Sequence, residues 1–260
     1  MGAKLSAADK PFLVNSVMGE INDQGVSVLA MFHPVVSLER NDADAPAHDG
    51  EGAAPRVESM MHVHLQPLDD ESRERLIEAL RVVLADVEAA VADFADMRAR
   101  MDFAIEELKT ANSAASSEEL EEAIAFLRWL RDDNFAFLGC RVYEYAIDPD
   151  GGLAREEPSI QPDTSRGVLR DETRRVLRRG SEPVILTPAV QEFLREPSPL
   201  IVAKANERSR VHRRGYMDYI GVKRYRADGV VIGETTDRFY FPASATAYLL
   251  QGETDRALAA

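Results

Sequence analysis

The stretch Arg208-Ser209-Arg210-Val211-His212-Arg213-Arg214 concentrates positive charge in a chain of 260 residues whose formal net charge is −14. Lys204 precedes it and Lys223-Arg224 follows it. Such a cluster can hold a carboxylate or phosphate by charge-assisted hydrogen bonds. It can equally dock on an acidic surface, either of this chain or of another subunit, and docking is the reading we favour. Nucleic acid ranks third, because the overall charge opposes a phosphate backbone. The contact candidates here are Lys204, Arg208, Arg210, His212 and Arg213.

Asn15 and Ser16 form a second candidate, since they follow a short apolar stretch and stand where a helix can start. Backbone amides at a helix N-terminus attract carboxylates; a plain helix cap is the simpler reading. His62 and His64 share one face of any strand they lie on, and His33 can lie on its neighbour. Three imidazoles can ligate zinc, but no carboxylate or cysteine is placed to complete the set, so no metal is expected. Cys140 is the single cysteine and lies in an apolar run, which reads as a buried small hydrophobe. One cysteine allows no disulfide within the chain and suits a reducing, cytoplasmic setting. The sequence contains no G-x-G-x-x-G after a strand, G-x-x-x-x-G-K-[ST], C-x-x-C, H-E-x-x-H or G-x-S-x-G motif. No catalytic residue is therefore assigned.

The elements that must position these residues follow from periodicity. Pro11-Phe12-Leu13-Val14 reads as a strand, then a short helix capped at Asn15 or Ser16 and stopped at Gly25. Residues 26–33, continuing to Leu38, have strand composition; residues 40–55 read as loop; Val57 to Leu65 alternate as a half-buried strand. From Asp69 and Asp70, Leu76, Leu80, Val83, Val87, Val91, Phe94, Met97, Met101, Ile105 and Leu108 recur at helical spacing, predicting one helix of about ten turns. Residues 69–126 carry 16 acids against 6 bases, which reads as a solvated helix face. Ser116 or Ser117 caps a further helix over 118–131.

The second half opens with a strand from Phe135 to Tyr145 and a loop over 148–166. Helices are expected over Asp171 to Gly180 and Pro188 to Arg195, and a strand over Val184 to Leu186. Strands then cover Pro199 to Asn206, Met217 to Arg226 and Val230 to Phe241, the last two joined by a two-residue turn at Asp228-Gly229. The class is α+β: a ferredoxin-like, ACT-type β-α-β-β-α unit with a long helix over 1–112, then a PAS-like, mostly antiparallel module over 113–260 with a lead-in helix. No apolar run reaches the roughly 20 residues of a membrane helix. The start has no signal-peptide core, and its match to a myristoylation pattern at Met1 to Ser6 reads as chance.

Several strings resemble one family. Pro11-Phe12-Leu13-Val14-Asn15-Ser16-Val17, followed by Phe32-His33-Pro34-Val35-Val36, is similar to the P-F-L-V-D-S-V … H-P-V opening of the large bacterial NAD-specific glutamate dehydrogenases. Asp133-Asn134-Phe135-Ala136-Phe137-Leu138-Gly139 resembles their D-N-F-x-F-L-G-Y segment. Lys204-Ala205-Asn206, Arg208-Ser209 and Val211-His212-Arg213, then Tyr216-Met217-Asp218-Tyr219-Ile220-Gly221-Val222-Lys223, make the most specific match. Asn15 stands where Asp is expected, Cys140 where Tyr is, and Glu234 to Phe241 departs from the usual R-F-L-G-L-F-T close.

The resemblance implies a place in the long N-terminal regulatory part of that enzyme, an ACT-like domain followed by a PAS-type one. It implies oxidative deamination of L-glutamate with NAD as the parent activity. No cofactor is expected in this segment, since the dehydrogenase domain lies elsewhere. Expected partners are the catalytic region, other subunits of a homo-oligomer and an amino-acid-like effector; no nucleic acid and no membrane are expected. Effector contacts would fall on Asn15 and Ser16 or on the basic cluster. A free-standing sensor acting on another partner, and a small enzyme with its site at the basic cluster, are the rivals.

Overall fold

The computed structural model describes residues 2–39, 55–174 and 185–240. It divides into two compact units. The first is Met1–Val91 with Arg210–Arg214; the second is Ala92–Ser209 with Gly215–Ala260. The division between Val91 and Ala92 precedes the boundary at 112 that the helical stripe suggests.

The first unit begins with a strand the sequence does not advertise. β1 (Gly2–Ala8) pairs antiparallel along its whole length with β4 (Arg56–Leu65), from Gly2 opposite His64 to Ala8 opposite Glu58. The strand expected at Pro11 to Val14 is instead a turn at Pro11-Phe12 and the first two residues of α1 (Leu13–Asp23). Leu13, Val17 and Ile21 recur every four residues and are at most 3% exposed, so the stripe they form is helical. Phe12 precedes the helix in a left-handed conformation, φ 69°. Ser16 therefore lies one turn inside α1, not at its cap, and its hydroxyl donates to the Phe12 carbonyl at 2.7 Å.

α1 stops as expected at Gly25, φ 69°. Gly25 N–H donates to Asn22 O at 2.9 Å and Val26 N–H to Ile21 O at 3.1 Å. These are the two bonds of a Schellman motif, which needs a residue tolerant of positive φ at that position. The next strand is interrupted: β2 (Val28–Phe32) and β3 (Val35–Leu38) flank His33-Pro34, and both pair with β4. Pro34 has no N–H for the ladder but its carbonyl accepts from Met60 N at 3.0 Å. The sheet thus places β4 between β1 and the β2/β3 edge. Met61, Val63 and Leu65 of β4 are at most 1% exposed, as alternation requires, while Val57 is 54% exposed.

The expected ten-turn helix is two helices, α2 (Asp70–Ala92) and α3 (Phe94–Thr110), separated at Asp93. Asp93 is poor in a helix interior because its carboxylate competes for nearby N–H groups. Here it accepts from Gly167 N–H at 2.6 Å and from the Arg170 guanidinium at 2.6 and 2.5 Å.

In the second unit, α4 (Ser117–Trp129) starts with a full capping box: Ser116 Oγ accepts from Glu119 N–H, and the Glu119 carboxylate accepts from Ser116 N–H at 2.8 Å. A π-turn (Leu130–Asn134) leads into β5 (Ala136–Glu144). Within the expected loop 148–166, β6 (Ser159–Ile160) adds to β5, as does β7 (Arg166–Gly167) just beyond. Asp171–Arg174 is a turn, and the rest of the helix expected to Gly180 lies outside the described residues, as does Val184. Ile185 and Leu186 form no strand.

α5 (Pro188–Arg195) matches its expected span and is capped by Thr187. β8 (Leu200–Arg208), β9 (Tyr216–Tyr225) and β10 (Val231–Tyr240) complete an antiparallel sheet ordered β6-β5-β10-β9-β8. The β9–β10 connection is longer than the expected two-residue turn. Arg226 and Val230 close it, Gly229 N–H donates to Arg226 O at 2.9 Å, and only Gly229 has positive φ, 87°. That is a type I turn with the left-handed residue third, so Asp228 needs no positive φ.

α3 and α4 cover one face of this sheet. Met97, Met101, Ile105, Leu108, Ile124, Leu127 and Leu130 pack with Phe137, Cys140, Ile220 and Val222 in one core. Cys140 is buried there as a free thiol. On the opposite face Arg141, Tyr143, Tyr219, Lys223 and Glu234 are also buried.

Candidate functional site

Two groups that looked separate in sequence meet in the first unit. Ser16 Oγ accepts the His212 N–H at 2.8 Å while donating to Phe12 O. Asn15 Nδ2 lies 3.5 Å from His212 Nδ1, and the Phe12 and His212 rings have centroids 5.0 Å apart. Phe12 and His212 are both non-glycine residues at positive φ, 69° and 67°. Such conformations cost energy and persist where surrounding contacts fix them. Burial, and then the Arg213 charge, push the His212 imidazole below its ordinary pKa.

Arg214 pairs with the buried Glu20 and lies 3.4 Å from Asp23, with its side chain 15% exposed. Gly19 lies close against this side chain, where a Cβ would be 3.2 Å from Arg214 Cγ. Arg210 is 3.9 Å from Asp86 of α2. Segment 210–214 thus spends three of its side chains on α1 and α2, while Arg213 is exposed.

Lys204 and Arg208 are placed differently. Lys204 pairs with Asp218, its partner in the β8–β9 ladder, and the Arg208 guanidinium lies 5.3 Å from the Tyr216 ring centre. The histidines make no metal cage. His62 and His64 rings stand 4.5 Å apart, His33 Nε2 is 3.0 Å from Ser59 Oγ, and no group of three ligating side chains occurs among the described residues.

The second unit carries a buried polar cluster that sequence reasoning missed. Glu234 is 1% exposed and faces Tyr143 across β5 and Lys223 across β9. Its Oε1 accepts from the Tyr219 hydroxyl, and the Tyr145 hydroxyl is a second partner. Lys223 Nζ donates to Glu196 O at 2.9 Å and lies 5.8 Å from the Phe193 ring centre. Gly221 leaves the space the carboxyl fills: a Cβ there would be 2.9 Å from Glu234 Oε2.

Arg141, fully buried on the same face, reaches Ser165 Oγ at 3.0 Å and the carbonyls of Leu169, Asp171 and Arg174 at 2.5, 3.2 and 2.9 Å. One guanidinium thereby ties residues 165–174 to β5. The only sequence signal was a glutamate amid a strand-like run, which reads as an outward residue unless the fold closes over it.

Comparison with known proteins fits the fold. The family model for the glutamate dehydrogenase ACT1 domain matches residues 4–80, from within β1 to the middle of α2. An NAD-specific glutamate dehydrogenase of Halomonas elongata is 36% identical over 246 residues, covering 92% of this chain and 15% of its own length. The enzyme of the same name from Pseudomonas aeruginosa is 32% identical over 234 residues, 87% of this chain and 14% of its own. That of Mycobacterium tuberculosis is 27% identical over 229 residues. The chain spans about 15% or less of the length of these curated relatives. The matched motifs, the ACT1 domain and this coverage agree: over the segment it spans, the chain belongs to the family of NAD-specific glutamate dehydrogenases.

Proposed function

We propose that this chain is a non-catalytic regulatory and assembly segment of an NAD-dependent glutamate dehydrogenase, working in the cytoplasm. The parent reaction converts L-glutamate, NAD and water to 2-oxoglutarate, ammonia and NADH, with NAD held by another part of the enzyme. The observation that carries this reading is similarity to enzymes of that name over 85–92% of the chain. The second unit's strand order, second-first-fifth-fourth-third when β7 is set aside, supports a PAS-type module. No described helix is long and apolar enough to cross a membrane.

Between binding an effector and packing subunits, the engagement of Arg210, His212 and Arg214 by α1 and α2 favours a structural use of the basic cluster. The α1 turn remains the place for an amino-acid effector, with Asn15, Ser16 and His212 as its contacts. The 260-residue chain is assayed for NAD reduction with L-glutamate, titrated calorimetrically with a panel of amino acids, and sedimented over a range of concentrations. We expect no turnover, and either heat with an amino acid or concentration-dependent self-association. Turnover by this chain alone overturns the reading, as does the absence of both heat and association.

A further inference from the structure

The inner face of the second unit's sheet holds a carboxyl group whose described hydrogen-bond partners are phenols. Glu234 lies on β10, a strand flanked on both sides by β5 and β9. It is faced by Tyr143 of β5 and by Tyr145 just past the end of that strand, with Arg141 farther along the same face, and from β9 by Tyr219 and Lys223. The α5 end contributes the Glu196 backbone carbonyl, which accepts from the Lys223 ammonium, the Phe193 ring beside that ammonium, and the Glu196 carboxylate, whose charge favours the charged form of Lys223. The Arg141 guanidinium is taken up by carbonyls of residues 169–174. Neither cation pairs with Glu234, so its negative charge would have no buried counter-ion in contact.

We infer that Glu234, with Tyr145 and Tyr219, is a proton-responsive element that sets how firmly β10 is held between β5 and β9. Phenol hydroxyls can donate to a carboxylate and accept from a carboxylic acid, so both protonation states find partners. Burial pushes the Glu234 carboxyl up to about 7, and the hydrogen bonds from Tyr219 and Tyr145 and the Lys223 charge only partly oppose it. Proton release puts a charge in the sheet's centre, where desolvation penalises it. The folded state keeps its proton up to about pH 7, while the unfolded chain loses it near 4.5. Stability therefore falls as pH rises through that window and levels off above it. The inference does not depend on the dehydrogenase reading.

The test compares the full chain with E234Q by urea unfolding from pH 5 to pH 8, followed by fluorescence of Trp129, the single tryptophan, in the second unit's α4. One proton of linkage corresponds to roughly a tenfold change in the folding equilibrium per pH unit. The ratio of folding constants, E234Q over wild type, should rise by roughly fortyfold from pH 5 to pH 7, about twofold more by pH 8, and then stay level. A ratio that does not change with pH overturns the proposal. Infrared spectra of the wild-type chain supply a readout that needs no variant. The stretch of a buried protonated carboxyl should be present at pH 5 and lost through pH 7; its absence at pH 5 also overturns the proposal.

Discussion

Asp93 is 4% exposed and Glu234 is 1% exposed, and both belong to the second unit, yet they hold their protons in opposite ways. Burial raises the cost of charge at both. At Asp93 the hydrogen bonds from Arg170 and Gly167 outweigh that cost, so its carboxyl is held below the ordinary value. Around Glu234 the donors are neutral hydroxyls and the nearest cation is engaged elsewhere, so burial wins. Burial alone thus does not fix the state of a carboxyl; what matters is whether a donor with full charge reaches it. The two positions use this differently. Asp93 breaks a helix and fastens residues 167–170, while Glu234 stores a proton within a sheet.

The most severe way to break the comparison is to strain the turn that carries the backbone donor to Asp93. Gly167 has φ 60°, and a Cβ there would lie 2.2 Å from Leu138 O, against backbone that cannot move aside. G167A should destabilise the chain by more than about 3 kcal/mol, measured by urea unfolding at pH 7. Next in size is D93N, which keeps the shape but removes the charge that meets Arg170. It should cost about 2 kcal/mol at pH 7, since hydrogen bonds to charged groups contribute more than neutral ones. The depressed Asp93 value adds a sign. Its stabilisation is present above the unfolded carboxylate value, about 4, and is lost as pH falls through the lower folded value. The cost of D93N should therefore shrink in acid, the opposite of the trend expected at Glu234.

These two carboxyls also show which parts of the molecule were legible in sequence. Asp93 stands in an otherwise sustained helical stripe, and its preference for helix starts made a break there readable, although periodicity masked it. The strands β4, β5, β8, β9 and β10, and the helix α5, were legible because alternation or capping residues mark them locally. β1 was not, since Gly2–Ala8 contains small and polar residues and acquires its strand only from pairing with β4. Asn15, Ser16 and His212 were each singled out, but as members of different sites. Nothing local says that residues 196 apart share a hydrogen bond. Glu234 was invisible for the same reason: its partners come from β5 and β9, and register, not sequence spacing, brings them together.

The smallest change that sharpens the comparison is Y219F, which removes one phenolic donor from Glu234 and leaves the ring. The Tyr219 bond favours the charged carboxylate, so its loss should raise the Glu234 value further above about 7. The pH at which the protonated-carboxyl infrared band disappears should move upward. At pH 5, where Glu234 is neutral in either protein, only a neutral hydrogen bond is lost, and the cost should be about 1 kcal/mol. At pH 8 the cost should be larger, because the donor then serves a buried charge. A Y219F penalty that is equal at pH 5 and pH 8, with the band unmoved, would mean that Tyr219 packs beside Glu234 without governing its proton. Tyr145 would then remain as the controlling hydroxyl.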